Sequence, residues 1–263
     1  MSSWMVSHIP SGALLVGLIV VIAGGAASVQ RYVRRRFPSL KGDAHNEGTK
    51  FLYGFIGFFY AFFIGFVVNS LWGQNNVADG YARAEGAAAV QMARDAGVFD
   101  APDRDRIRQS LLAYERAAIA EWPHAESGRS TDTDAALTRL GKAYDGIATK
   151  TDAQKTLLST SFSNLDKISQ ARTVRLLTAR EDAGVPWSLW FVIFLTSTMV
   201  LGIAIVYGVE NPILHYPMVA IVAVIVATNL ALILQLAQPY AGEVSTTPDP
   251  LQQVVAVLSQ PVS

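Results

Sequence analysis

Phe51, Phe55, Phe58, Phe59, Phe62, Phe63 and Phe66 recur at three- and four-residue spacing within FLYGFIGFFYAFFIGFVVNSLW, residues 51–72. At about 100° per residue they fall on one broad arc of a helix. Gly54, Gly57, Ala61 and Gly65 fall on another side, and Asn69 follows the arc. Such rings do no covalent chemistry. Gathered from several copies around one axis, they form a hydrophobic constriction that gates ions by dewetting. A neutral amide at Asn69 offers N–H donors to a partly dehydrated anion. The small-residue side admits another helix at close range. The plainer alternative is that the rings face lipid or neighbouring helices.

The titratable residues form no catalytic set. His8, His45, His124 and His215 are far apart in sequence. Asp100, Asp103, Asp105, Glu121, His124 and Glu126 crowd one stretch. They have no metal-ligand spacing, and solvated helix faces account for them. No phosphate-binding glycine loop or nucleophile elbow occurs. The absence of cysteine excludes disulfides and thiolate metal sites. The expectation is a protein that is not an enzyme and needs no cofactor. Lys+Arg and Asp+Glu both number 21, so net charge offers no case for a nucleic-acid partner.

These residues need elements to position them, and the charge distribution defines those elements. Residues 11–30, 51–72, 186–209 and 211–242 carry no Asp, Glu, Lys or Arg. Each holds about 20 mainly apolar residues, the length of a membrane-crossing helix. Continuous apolar runs exclude an alternating barrel pattern. Trp4, Tyr32, Trp72, Trp187, Trp190 and Tyr207 stand at the span limits, where aromatic rings favour the headgroup level. The first span has no Lys or Arg in front of it, which does not fit a cleavable signal. Thr196, Ser197, Thr198, Thr228, Asn229 and Gln235 lie at depth, where interhelical hydrogen bonds are expected. Spans without ionisable groups argue against a pump or coupled transporter. A passive channel or a structural protein remains.

The fold class is therefore all-α: four transmembrane helices in two hairpins, with a helical extramembrane insert. The expected divisions are 1–72 for the first hairpin, 73–185 for the insert, 186–240 for the second hairpin and 241–263 for the tail. In the insert, residues 76–97 continue the second span into water as one long helix, ended by Gly97 and Pro102. Asp103 caps the next helix, with an apolar stripe at Ile107, Leu111, Tyr114, Ala118 and Trp122. Pro123 stops it. Leu137, Leu140, Tyr144 and Ile147 form a further stripe, and Leu158, Phe162, Leu165 and Ile168 mark a last helix running towards Pro186. Val254, Val255, Val257 and Leu258 suit a short amphipathic tail helix, packed on its own insert or around a neighbouring subunit.

Orientation draws on the loop between the first two spans, where Arg31, Arg34, Arg35, Arg36, Lys41 and Lys50 outnumber Asp43 and Glu47. The positive-inside rule puts that loop in the cytoplasm and the insert outside. Arg172, Arg175 and Arg180, close to the third span, argue the other way.

The segments GFIGFFYAFFIGFVVNSLWGQNNVAD, RIRQSLLAYERAAIAEWP, PWSLW and QPYAGEVSTTPDP, in this order, resemble the bacterial bestrophin-like membrane family. The resemblance covers most of the chain after about Lys50. More distantly, GFIGFFY is similar to the pore-lining segment of bestrophins, which are pentameric anion channels. The resemblance implies a homo-oligomer in the cell membrane, a pentamer, passing small anions such as chloride. Pore rings would fall on Phe51, Phe55 and Phe59, and the arc extends them to Phe62, Phe66 and Asn69. Gly54, Gly57, Ala61 and Gly65 would then serve helix packing. The resemblance also implies a cytoplasmic insert, against the basic loop. The chain departs from the family pattern at Ala237 and Gln238, where an acidic residue is usual, and at Leu251, where an aromatic is common. No acidic calcium-sensing cluster is identifiable. The competing function is a non-conducting scaffold or envelope sensor whose helical insert binds a partner.

Overall fold

The computed structural model describes residues 6, 8–38, 46–180 and 185–260. Of the residues used to argue orientation, Lys41 and Asp43 lie outside that range, as does His45. The side chains of Asn46, Glu126, Ser127 and Arg180 are likewise outside the description. All regular structure among the described residues is helical. In chain order the α-helices are α1 (Ser11–Arg36), α2 (Asn46–Asp95), α3 (Ala101–Glu121), α4 (Thr131–Lys142), α5 (Asp152–Arg180), α6 (Trp187–Val206), α7 (Pro212–Leu236) and α8 (Asp249–Leu258). They form two compact units. One holds α1, α2 up to Gly73, α6 and α7; the other holds α2 from Gln74, with α3, α4, α5 and α8.

In the first unit, α1, α2, α6 and α7 are each long and apolar enough to cross a membrane. Helices α1, α6 and α7 pack on one another. Ala26, Ala204 and Ala223 are buried together with Ile205 and Val219, so small residues let these three backbones approach closely. Helix α2 joins through Tyr60, Ile64, Val67 and Leu71, buried against Ile193 and Val200 of α6 and Val226, Leu230 and Ile233 of α7. The hydroxyls at depth behave differently from expectation. Thr196, Thr198 and Thr228 donate to Val192, Phe194 and Val224 carbonyls of their own helices, and Ser197 Oγ is buried without a hydrogen-bond partner. Back-bonding within one turn satisfies a hydroxyl without a partner on another helix.

A polar clamp closes the α6–α7 hairpin. Arg34 Nη1 donates to Val209 O (2.8 Å) and to His215 Nδ1 (2.8 Å), while Nη2 donates to Glu210 O (3.0 Å). A guanidinium only donates, so Nδ1 accepts, and Nε2 carries the ring proton towards Ala204 O at 3.2 Å. Arg34, one of the arginines on which the orientation reading rests, lies in the last turn of α1 and not in a loop, and it is engaged in holding the hairpin link.

In the second unit the expected stripe of α3 forms its core. Ile107, Leu111, Tyr114, Ala118 and Trp122 are buried with Ala89, Met92, Leu140, Tyr144 and Ile168. The long helix predicted across residues 76–97 is the end of α2, unbroken from Asn46 to Asp95. Asp103 is not the cap of α3. That helix begins at Ala101 after Asp100, because Pro102 suits a first turn whose N–H has no intrahelical acceptor. Asp103 instead accepts from Arg106 Nη2 within that turn. Helix α4 ends at Lys142, so Tyr144 and Ile147 follow it in a turn that includes Gly146 at φ 74. Helix α5 ends at Arg180, and residues 181–184, between it and α6, lie outside the description.

The tail packs on its own insert. Leu251, Val254 and Leu258 of α8 are buried in the same core, and Arg108 Nη2 donates to Leu258 O. Trp122 Nε1 donates to Thr246 O at 3.1 Å. Gly86 makes this closure possible, because a Cβ there would lie 2.9 Å from Pro250 O and 3.0 Å from its carbonyl carbon. Backbone atoms cannot swing aside. Gly86→Ala should therefore lower stability by about 1–3 kcal/mol despite alanine's better helix propensity. A melting temperature no lower than wild type would show that α8 yields without cost.

Candidate functional site

Helix α2 presents two opposite faces between residues 51 and 72. The buried seam runs through Tyr60, Ile64, Val67 and Leu71. At about 100° per residue, Phe51, Phe55, Phe58, Phe59, Phe62 and Phe66 point the other way. They are exposed in the single chain, from 52% at Phe59 to 79% at Phe51. Phe63 differs, because it lies nearer the seam and is partly buried against the same cluster. Phe55 and Phe59 stack on each other with centroids 6.5 Å apart. Asn69 is exposed on the phenylalanine side one turn beyond Phe66.

Among the described residues, nothing comes close to the glycines of the small-residue side. A Cβ added at Gly54, Gly57 or Gly65 would meet nothing within 4 Å, and Ala61 is exposed. The seam, built from larger side chains, does the packing inside the unit. The phenylalanine arc and the small-residue stripe thus form one continuous surface that, among the described residues, no other helix of this unit covers.

The second unit holds a charged core, where the sequence pattern predicts solvated faces. Arg172 and Arg175 on α5 are buried, as are Glu85 on α2 and Glu115 and Glu121 on α3. Arg172 donates Nε and Nη2 to the two oxygens of Glu121 at 2.9 and 2.7 Å, and Nη1 to Asp134 at 2.6 Å. Arg175 is 3.5 Å from both Glu85 and Glu121, with its guanidinium over the Trp122 ring at 4.4 Å. Tyr114 donates its hydroxyl to Glu85 Oε1 at 2.8 Å. Burial pushes the Glu121 carboxyl up, but the Arg172 fork and the Ser130 N–H outweigh it and hold the group below the ordinary range.

Glu115 is the odd member. It is fully buried and neither oxygen accepts a hydrogen bond. Burial, reinforced by the Glu85 charge, pushes its carboxyl well up, against the weaker pull of Arg175. The folded state holds this proton more tightly than the unfolded chain, which releases it above about pH 4.3. Stability is therefore unaffected below that pH and falls as pH rises towards the raised folded value, by at most about 1.36 kcal/mol per pH unit. Glu115→Gln removes this loss. Its melting temperature should exceed wild type by more at pH 8 than at pH 5. Parallel pH profiles would show that Glu115 is ionised in the fold.

Asp100, Asp103 and Asp105 are surface partners. Lys150 pairs with Asp100, Arg104 with Asp105 and Arg106 with Asp103. His124 Nδ1 lies 3.4 Å from Ala120 O. Among the described residues no group of three or more His, Asp or Glu is disposed to hold a metal. The arrangement suits positioning and packing.

Comparison with known proteins agrees with this architecture. A family model for the Bestrophin-like domain matches residues 20–251. No curated protein matches the chain in sequence. Two crystal structures of point mutants of a bacterial bestrophin homologue from Klebsiella pneumoniae share the fold at 13% identity. One has a TM-score of 0.65 and covers 94% of this chain and 99% of its own. The other has a TM-score of 0.59, with 93% and 96% covered. The chain belongs to the bestrophin-like family, and it is an all-helical membrane protein.

Proposed function

We propose that this bestrophin-like chain is one subunit of a homo-oligomeric channel in the cell membrane that passes small anions such as chloride passively. Phe51, Phe55, Phe59, Phe62, Phe66 and Asn69 line a shared pore. Gly54, Gly57, Ala61 and Gly65 receive the second span of a neighbouring copy. By the family resemblance the ring has five subunits.

Support comes first from the uncovered arc of α2: six phenylalanines exposed opposite a fully packed seam. Lipid alone would satisfy such rings, but it gives no reason for a small-residue stripe beside them. Small residues let helices approach closely, and a helix on that stripe turns the adjacent arc towards a common axis. Rings around such an axis exclude water when the pore is narrow and release ions when it widens. The spans bring no Asp, Glu, Lys or Arg into the arc, in keeping with conduction that is not coupled to proton or ion binding.

Two measurements on purified protein test this. Liposomes loaded with chloride should lose it faster when they contain the protein, and the particle should be a closed ring with the phenylalanine face inward. A monomer, or a two-fold dimer that leaves the arc in lipid, would overturn the pore and favour the non-conducting scaffold.

A further inference from the structure

We infer that the membrane unit carries a binding pocket for an anionic phospholipid, separate from the phenylalanine arc. A cavity of about 260 Å³ is lined by Lys50, Tyr53, Ala204, Tyr207, Met218 and Val222. Its walls are the apolar flanks of α2, α6 and α7, and Lys50 is the charged residue among the described residues that line it.

Depth places this cavity at the bilayer surface. Lys50 immediately precedes the charge-free segment that opens at Phe51, and Tyr207 follows the last residue of α6. Met218 and Val222 lie on successive turns of α7, deeper along the same wall. A lysine at the mouth and apolar side chains below it reproduce the order of a phospholipid, with charge outside and hydrocarbon inside. Tyr53 and Tyr207, with ring centroids 6.2 Å apart, flank the mouth, at the level where phenol rings are favoured.

Charge decides which lipid. Lys50 is exposed, and among the described residues no carboxylate or carbonyl engages its ammonium. Arg34, by contrast, is engaged in the hairpin clamp. The cation at Lys50 is complementary to a headgroup with net negative charge. Basic pockets between transmembrane helices recognise anionic headgroups in this way. The volume falls below the roughly 300–1,000 Å³ of ordinary small-molecule sites. It suits the part of one acyl chain nearest the headgroup, with the remainder of the lipid lying in the bilayer.

The full-length protein, purified in a neutral detergent, is supplied with phosphatidylglycerol or phosphatidylcholine of identical chains. Retained lipid per subunit is counted by native mass spectrometry. Wild type should retain phosphatidylglycerol about tenfold better, equivalent to about 1.4 kcal/mol. Lys50→Gln should bring the two lipids near parity, and Lys50→Arg should keep the preference. Arg31→Gln makes the same charge change on the exposed C-terminal part of α1 and should leave the preference intact. Met218→Trp fills the cavity and should reduce retention of both lipids. Lys50 and Arg31 are exposed, so their variants test the headgroup contact without a folding burden.

Unchanged preference in Lys50→Gln would overturn the proposal. So would an equal loss in Arg31→Gln, which would mean diffuse surface attraction. Displacement by millimolar inorganic phosphate would show a simple anion site and would also overturn it. The assay reads retained lipid and is independent of whether the protein conducts.

Discussion

Arg172→Met should destabilise the insert by about 3–5 kcal/mol, the usual consequence of removing one partner from a buried ion pair. That is a large part of the roughly 5–15 kcal/mol that holds a domain folded. The substitution keeps side-chain bulk and removes three charge-assisted hydrogen bonds at once, two to Glu121 and one to Asp134. Glu121 is then left buried with the Ser130 N–H and the more distant Arg175. Lysine is a poor rescue, since it cannot reproduce two parallel N–H···O bonds. Replacing the stranded acid as well should recover part of the loss, so Arg172→Met/Glu121→Gln should melt above Arg172→Met alone. Acid dependence supplies a second readout. Glu121 is held below the ordinary carboxylate range, so its contribution is complete above the unfolded value near 4.3 and disappears as pH falls through the folded value. Arg172→Met should flatten that acid limb. Thermal unfolding followed by tryptophan fluorescence measures both, and a shift worth under about 1 kcal/mol would refute the pair's structural importance.

Phe59→Ala should alter anion flux by an order of magnitude while leaving the subunit's fold unchanged. Both halves follow from exposure. Phe59 touches no core cluster of its own unit, and its ring contact is with Phe55, itself exposed. Substitutions at such positions usually move stability by less than about 0.5 kcal/mol. If the rings form a constriction, removing one from every subunit widens it and lowers the cost of a wetted pore. A barrier lower by only about 1.4 kcal/mol gives tenfold faster flux. Phe55→Ala should act in the same direction, because the two side chains are successive on one helical face. Chloride efflux from liposomes, with assembly checked by particle size, is the measurement. Unchanged flux in both single variants and in Phe55→Ala/Phe59→Ala would remove these rings from any conduction path.

The membrane spans were legible because about 20 apolar residues in a row without a charge suit a bilayer far better than water. The stripe of α3 was legible because apolar residues at a helical period define one face. The phenylalanine arc was equally legible as a helical face. Its partner surface was not, since the same glycines can serve a helix of the same chain or of another copy, and periodicity does not distinguish them. The charged core was missed for a different reason. Glu115 follows Leu111 by four residues and Glu121 follows Tyr114 by seven, so both lie on the buried face of α3. Arg172 and Arg175 follow Ile168 by four and seven on α5. Position along the helix therefore carried the signal, while residue type suggested water. Charge on a core face is stable only when opposite charges meet, and that meeting between α2, α3 and α5 is a tertiary event.

The closing of the insert by α8 sets an order of events during synthesis. Leu251, Val254 and Leu258 fill a core whose other walls are made from residues 82–168. All four spans precede that helix in the chain and are therefore made before it. The insert must therefore wait with an open apolar floor, an exposed Trp122 edge and a vacant groove at Gly86. Partly made inserts of this kind are the species most open to aggregation and chaperone capture. A premature stop between Leu236 and Asp249 would spare every span, yet it would yield a chain marked for degradation.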